Sequence, residues 1–309
     1  MRQGLLWLSE RPAIFRFVRR NGLARRFASR FVAGETVDSA VSAARELARR
    51  GITASLDLLG ESVTEEREAL AARDHYLRML AALSAAGAEV NVSVKLTQMG
   101  LDIGEDLCAA NLVRILEKAE QVGGFVRIDM EGSEYTQRTL DFFRERLFER
   151  FGRHCGVVIQ AMLRRSAADI AQLIALKARV RLCKGAYLEP PDVAFPDKAA
   201  VDRNYVTLME HLLAEGNYPG LATHDETIIA RARSFVTRRG TPSDRFEFQM
   251  LYGVRRDLQV RLCREGYRMR VYVPFGTQWY PYLMRRLAER PANIAFILGN
   301  LARESVSKQ

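Results

Sequence analysis

The sequence predicts a closed (β/α)8 barrel of the TIM type, with a helical extension before it and a short helix behind it. Three observations carry that prediction. Short strand-like runs alternate with longer amphipathic stretches eight times across about 240 residues, as such a barrel requires. No Gly/Ser-rich or Pro-rich linker divides the chain. Several strands also carry strict polar/apolar alternation between helices that should cover them.

The elements follow in order. Residues 1–50 read as a helical extension, with Leu5, Leu6 and Leu8 followed by Ala/Arg-rich turns. Strand-like runs begin near Ile52, Val90, Phe125, Val157, Val180, Leu221, Phe246 and Met269. Helical periodicity fills the gaps, for example over Glu65–Ala86, Asp106–Gln121, Gln137–Phe151, Asp202–Glu215 and Ile228–Arg238. The barrel is expected over residues 51–290, and a C-terminal helix (Ala292–Leu301) and tail over 291–309.

Composition bounds the function. The 309 residues, 27% charged with 15 Phe, 10 Tyr and 2 Trp, can bury a full core and are not those of a disordered chain. No apolar run approaches the ~20 residues of a membrane helix. The apolar N-terminal stretch meets Ser9, Glu10 and Arg11 too soon for a secretory signal. The net charge of +10 is scattered, without a basic block or zinc-finger spacing; it reads as a solvated surface or one that favours anionic membranes or substrates, and alone it decides little, with no motif that calls for nucleic acid. Cys108, Cys155, Cys183 and Cys263 form no Cys-x-x-Cys pair, which points to a reducing, cytoplasmic setting. The four histidines lack metal-ligand spacing, and no metal is expected.

The alternation is the more informative pattern. Val90, Val92 and Val94 oppose Asn91, Ser93 and Lys95; Val126, Ile128 and Met130 oppose Phe125, Arg127 and Asp129. Likewise Phe246, Phe248 and Met250 oppose Glu247 and Gln249, while Met269, Val271 and Val273 oppose Arg268, Arg270 and Tyr272. With helices outside, the apolar set faces the shell and the polar set faces the barrel interior. Buried charges must be paired or bound to a ligand, so a polar interior indicates a site.

In such barrels the site lies at the strand C-termini. Asp57, Glu61, Lys95, Asp129, Glu131, Gln160, Arg181–Tyr187, Thr223, His224, Gln249–Tyr252 and Tyr272 fall there. The set is rich in cations and hydrogen-bond donors and offers no Ser or Cys nucleophile beside a histidine. Lys95 and Lys184 each admit three roles: a solvated strand end, a cation for an anionic ligand, or a Schiff-base nucleophile. Lys184 is followed by Gly185 and Ala186, a backbone open to close approach. His224 suits either a structural hydrogen bond or a cofactor contact. On the helix that Pro281 introduces, Tyr282, Arg285, Arg286 and Glu289 share one face, and Leu283, Met284, Leu287 and Ala288 the other. That face reads as solvated or as a paired-arginine clamp for a carboxylate.

Eight segments together resemble one family. They are Leu56–Glu61 (LDLLGE), Ser93–Leu101 (SVKLTQMGL), Arg127–Tyr135 (RIDMEGSEY), Val158–Arg165 (VIQAMLRR), Arg181–Tyr187 (RLCKGAY), Thr223–Asp225 (THD), Phe246–Gly253 (FEFQMLYG) and Tyr282–Arg290 (YLMRRLAER). In this order, they resemble the proline dehydrogenases, in the compact monofunctional bacterial form. The resemblance implies FAD-dependent oxidation of L-proline to Δ1-pyrroline-5-carboxylate, with electrons passed to a membrane quinone and peripheral contact with the inner face of the cell membrane. It implies Asp129 and Arg181 as catalytic residues. Arg285, Arg286 and Lys95 would hold the proline carboxylate, while Tyr272, Tyr282, Tyr187, Leu182 and Leu251 shape the ring pocket. Met130, Gln160, Lys184, Gly185, Ala186, Thr223 and His224 would contact FAD, and Glu61 would pair with Arg285 to close the site. Cys183 departs from the family, where valine is common. A Schiff-base lysine aldolase and a basic non-enzymatic binding module stand as rival readings.

Overall fold

The computed structural model describes residues 28–289, with side chains to Met284. Its eight strands are β1 (Thr53–Leu58), β2 (Asn91–Val94), β3 (Phe125–Ile128), β4 (Cys155–Gln160), β5 (Arg179–Cys183), β6 (Gly220–Ala222), β7 (Glu247–Leu251) and β8 (Met269–Phe275). They pair in parallel, each with the next, and β8 closes on β1 over Thr53–Leu58. The expected eightfold barrel is therefore observed.

The described helices are α1 (Val37–Ala48), α2 (Glu66–Ala85), α3 (Glu105–Gln121), α4 (Ser133–Phe142), α5 (Ser166–Ala175), α6 (Lys198–Glu215), α7 (Glu226–Arg239), α8 (Arg256–Arg264) and α9 (Trp279–Glu289). A π-helical turn, Phe143–Phe148, carries α4 on to Phe151. The expected helix Ala292–Leu301 and residues 1–27 lie outside the described residues.

Helix α1 starts at a reciprocal cap, in which Ser39 N–H donates to Thr36 Oγ1 (3.2 Å) and Thr36 N–H to Ser39 Oγ (3.3 Å). Its buried stripe of Ala40, Val41, Ala44 and Leu47 packs against β1 and β8 in the main core. Helix α9, which follows β8, instead packs Tyr282, Leu283 and Met284 with Ala28, Val32 and Leu59, beside the C-terminal end of β1. The helix before the first strand thus covers the seam that the last helix would cover in a regular barrel. Sequence periodicity cannot show such an exchange, because α1 and α9 are both amphipathic and only tertiary packing assigns them a place.

The barrel interior is polar, as the alternation predicts. Ser55, Asp57, Ser93, Lys95, Arg127, Arg181, Glu247, Gln249 and Arg270 are all buried. Two glycines make room for these long side chains. A Cβ at Gly156 would strike the Arg127 guanidinium and the Arg179 carbonyl, and one at Gly220 would strike the Gln249 amide. Arg127 donates to the carbonyls of Val157 (3.2 Å) and Arg179 (2.6 Å). Burial, with Arg181 and Arg270 nearby, presses its pKa below the ordinary guanidinium value.

Candidate active site

The C-terminal mouth is organised around Arg181. This side chain points inward from β5 and donates Nη1 to Asp129 Oδ1 (2.7 Å) and Nε to Gln249 Oε1 (2.6 Å). Both terminal nitrogens also approach the Ser93 hydroxyl at 3.2 Å. Asp129 stands one residue past β3, and its second oxygen accepts from the Tyr272 hydroxyl at 2.9 Å. The Arg181 guanidinium lies 5.3 Å from the Tyr272 ring centroid. Burial, and then the Asp129 and Asp57 charges, raise the Tyr272 phenol well above its ordinary pKa, so it stays a donor.

A second pair lies beside it. Lys95 Nζ sits 3.2 Å from Asp57 Oδ1, with both side chains buried. Burial opposes the ammonium, but Asp57 and Asp129 outweigh it and raise the lysine above its ordinary value. Burial also raises the Asp57 carboxyl, against the pull of Lys95. Asp57 Oδ2 is buried without a hydrogen-bond partner.

The loop after β1 carries Glu61, which is half-buried. It is pinned to Thr97: Ser62 N–H donates to Thr97 Oγ1 (2.9 Å) and Val63 N–H to the Thr97 carbonyl (3.3 Å). Thr97 in turn gives its hydroxyl and N–H to Glu131 (2.5 and 3.2 Å). Burial raises the Glu131 carboxyl despite these bonds. Gln160, at the end of β4, donates to the Glu131 carbonyl (2.8 Å).

The opposite arc, β4 to β6, holds the donor-rich residues. Lys184 Nζ lies 2.5 Å from Asp202 Oδ1 and 3.0 Å from Asp225 Oδ2. Asp225 also caps α7 by accepting from Thr227 N–H (3.1 Å), and its own N–H donates to Thr223 Oγ1 (3.1 Å). His224 Nε2 accepts the Leu251 N–H at 2.9 Å, which places a neutral ring's proton on Nδ1. Gly185 has φ +105°, a conformation that favours glycine, beside Met162. Met130 is buried, Ala186 is half-buried, and Tyr187 packs against Met162, Leu163 and Ala194. Leu251 is half-exposed at the end of β7.

One expected placement needs correction. Leu182 alternates with Arg181 along β5 and is fully buried in the apolar core, in register with Ile159 and Leu221. Strand alternation turns it to the helical shell, away from the mouth. Tyr282 is buried among Trp279, Tyr280 and Leu283. The backbone of Arg285 and Arg286 continues α9; their side chains lie outside the described residues.

A model of the family described as "Proline dehydrogenase" matches residues 40–298. The chain belongs to the proline dehydrogenase family. The match takes in all but the first turn of α1, the helix that completes the barrel's shell. Proline dehydrogenase from Deinococcus radiodurans is 45% identical over 300 residues, covering 96% of each chain. Proline dehydrogenase 1 of Bacillus subtilis is 42% identical over 306 residues, covering 98% of this chain and 100% of that one. The solved proline utilization A (PutA) from Bdellovibrio bacteriovorus aligns with TM-score 0.81 and 28% identity, over 91% of this chain and 34% of that one. The chain thus spans about a third of that PutA. As a proline dehydrogenase it is an oxidoreductase, of a flavin-dependent family whose substrate is proline.

This proline dehydrogenase scaffold fits a flavin on the chemistry of its donors. One arc collects a guanidinium, an ammonium, an amide and a hydroxyl, from Arg181, Lys184, Gln160 and Thr223, as an anionic, planar group requires. It does not fit Schiff-base chemistry, which needs a lysine of lowered pKa. Lys95 is shifted the other way, and Lys184 is held between two carboxylates. Sequence reasoning gave no role to Asp202, Thr97 or Glu131. Glu131 at a strand end was the available signal; Asp202 and Thr97 lie in ordinary helical and turn contexts.

Proposed function

We propose that this mouth oxidises L-proline to Δ1-pyrroline-5-carboxylate with FAD as the bound flavin. The observation that supports this reading is the Asp129–Arg181 pair, which links an arc of fixed donors to a pocket lined by Lys95, Asp57 and Tyr272. FAD, when bound, supplies the hydride acceptor for proline C5; the redox chemistry is the cofactor's.

The chain's own residues solve a positioning problem. Lys95, with Arg285 and Arg286 from α9, grips the carboxylate and orients the small ring. Tyr272, Tyr282, Tyr187 and Leu251 bound that ring. The substrate nitrogen must be neutral when C5 gives up its hydride, and the protonated Lys95 disfavours a second cation beside it. Met130, Gln160, Lys184, Gly185, Ala186, Thr223 and His224 hold the cofactor, and Arg181 offers its guanidinium to negative charge there. Glu61, on the loop pinned at Thr97, closes over the substrate by pairing with Arg285.

Electrons leave to a quinone, and the protein works in the cytoplasm in peripheral contact with the membrane. Among the described residues the exposed large apolar side chains are Ile103 and Leu188, both on loops that follow strand C-termini at the mouth. No described helix is long and apolar enough to cross a membrane.

Protein mixed with FAD and passed through gel filtration should elute with one flavin per chain and reduce a soluble quinone analogue only when L-proline is added. A colourless eluate, or quinone reduction indifferent to proline, contradicts the reading.

A further inference from the structure

Below Arg181 a chain of buried hydrogen bonds runs through the barrel to its opposite mouth. Gln249 accepts from Arg181 Nε at 2.6 Å and donates its Nε2 to Glu247 Oε1, also at 2.6 Å. Both Glu247 oxygens are held by Arg270, at 2.7 and 3.0 Å, and Oε2 also accepts from Tyr218 (3.2 Å). Arg270 continues to the Ala54 carbonyl (3.0 Å) and to Glu89 (2.6 Å), which is half exposed at the N-terminal mouth.

An amide can lie in this gap in two ways that differ by exchange of its oxygen and nitrogen. A guanidinium only donates and a carboxylate only accepts. Between them, one orientation satisfies both ends; the other sets N–H against N–H and oxygen against oxygen. Glu247 thereby selects the orientation that presents the Gln249 oxygen to Arg181. Gly220 leaves the space the amide fills. Arg181 is then fixed by three acceptors around its guanidinium: Gln249 at Nε, and Asp129 and Ser93 at the terminal nitrogens.

We propose that Glu247 is a positioning residue for Arg181, acting through the orientation it imposes on the Gln249 amide. The link to catalysis rests on the flavin-side role proposed for Arg181. Glu247 opens β7, at the strand end away from the C-terminal mouth, so its part is to keep the guanidinium from turning.

Glu247→Gln, Gln249→Leu and the double variant test this. The first readout needs no flavin: hydrogen exchange at Arg181 Nε–H, followed in ¹⁵N-arginine-labelled protein. Each single variant should exchange about tenfold faster than wild type, as loss of one buried bond to a charged group implies. The double variant should be no faster than Gln249→Leu alone. The second readout is the rate at which L-proline bleaches the bound flavin. It should fall about tenfold in each single variant, while the half-saturating proline concentration shifts less than twofold.

Unchanged exchange in Glu247→Gln, or additive effects in the double variant, would overturn the proposal; additivity means that Glu247 acts through its charge alone. If Glu247→Gln does not fold, Glu247→Asp serves: it keeps the charge beside Arg270 but withdraws from the amide, and should give the same faster exchange. Wild-type flavin that proline does not bleach would sink the flavin reading and leave the exchange result to decide this one.

Discussion

Replacing Asp129 by asparagine puts the centre of the site under a defined strain. Both partners of this carboxylate are donors, Arg181 Nη1 at 2.7 Å and the Tyr272 hydroxyl at 2.9 Å. Asparagine has one accepting oxygen and one donating nitrogen, so whichever way it turns, its NH2 faces a donor. Breaking a buried ion pair costs about 3–5 kcal/mol, and the bond that asparagine retains returns part of it, leaving about 2–3 kcal/mol. At about 1.5–2 °C per kcal/mol for a chain of this length, the melting temperature should fall by about 3–6 °C. Far-UV circular dichroism melting at neutral pH reads this. Adding Tyr272→Phe removes one of the competing donors and lets the asparagine oxygen turn to Arg181. The double variant should therefore recover about half of the loss, an expected coupling between neighbours. A single variant that melts within ~2 °C of wild type, or a double variant whose losses simply add, would refute this account of the centre.

Three further outcomes follow from the same geometry. Lys95→Met leaves Asp57 buried without its counter-charge, so KM for proline should rise at least about tenfold while the fold survives; an unchanged KM would remove Lys95 from the substrate's grip. Gly185→Ala forces a side chain onto φ +105° against Met162, at about 1–3 kcal/mol, and gel filtration should show weakened flavin retention; full retention would show that the turn is free to relax. The carboxyls of Asp202 and Asp225 are opposed by burial but held below the ordinary aspartate value by Lys184, so their contribution to stability is complete above about pH 4 and is lost as pH falls through their folded values. The melting gap between wild type and Asp202→Asn should be constant from about pH 5 to 8 and shrink below about pH 4; a gap that widens in acid would reverse that sign.

Much of this was legible in the sequence because strand alternation is a local signal. Val92 against Ser93 and Lys95, or Phe248 against Glu247 and Gln249, states which face is buried under helices and which lines the barrel, and the observed interior contains those polar residues. All eight strands begin within two residues of their expected starts. The fourth begins earlier than expected, at Cys155, because Gly156 has no strand propensity of its own and is there to admit Arg127. What pattern could not supply was partnership over long separations. Asp202 reaches Lys184 from α6, Glu131 anchors Thr97, and Gln249 joins Arg181 to Glu247 only once β5 and β7 stand in one barrel. Packing of the last helix was equally out of reach of a local pattern. Tyr282 falls on a polar helical face by periodicity, yet Trp279, Tyr280 and Leu283 surround it, since α9 packs with residues from before the first strand. The resemblance puts Leu182 in the ring pocket, but the alternation that turns Arg181 inward turns Leu182 outward.

Anaerobic titration of the FAD-loaded protein with L-proline tests the central claim most directly. The account predicts that the visible flavin band bleaches with one equivalent of Δ1-pyrroline-5-carboxylate formed per flavin, and that Asp129→Asn slows the bleaching without releasing the cofactor. A flavin band that L-proline leaves unchanged, in protein shown to retain its FAD, would contradict it.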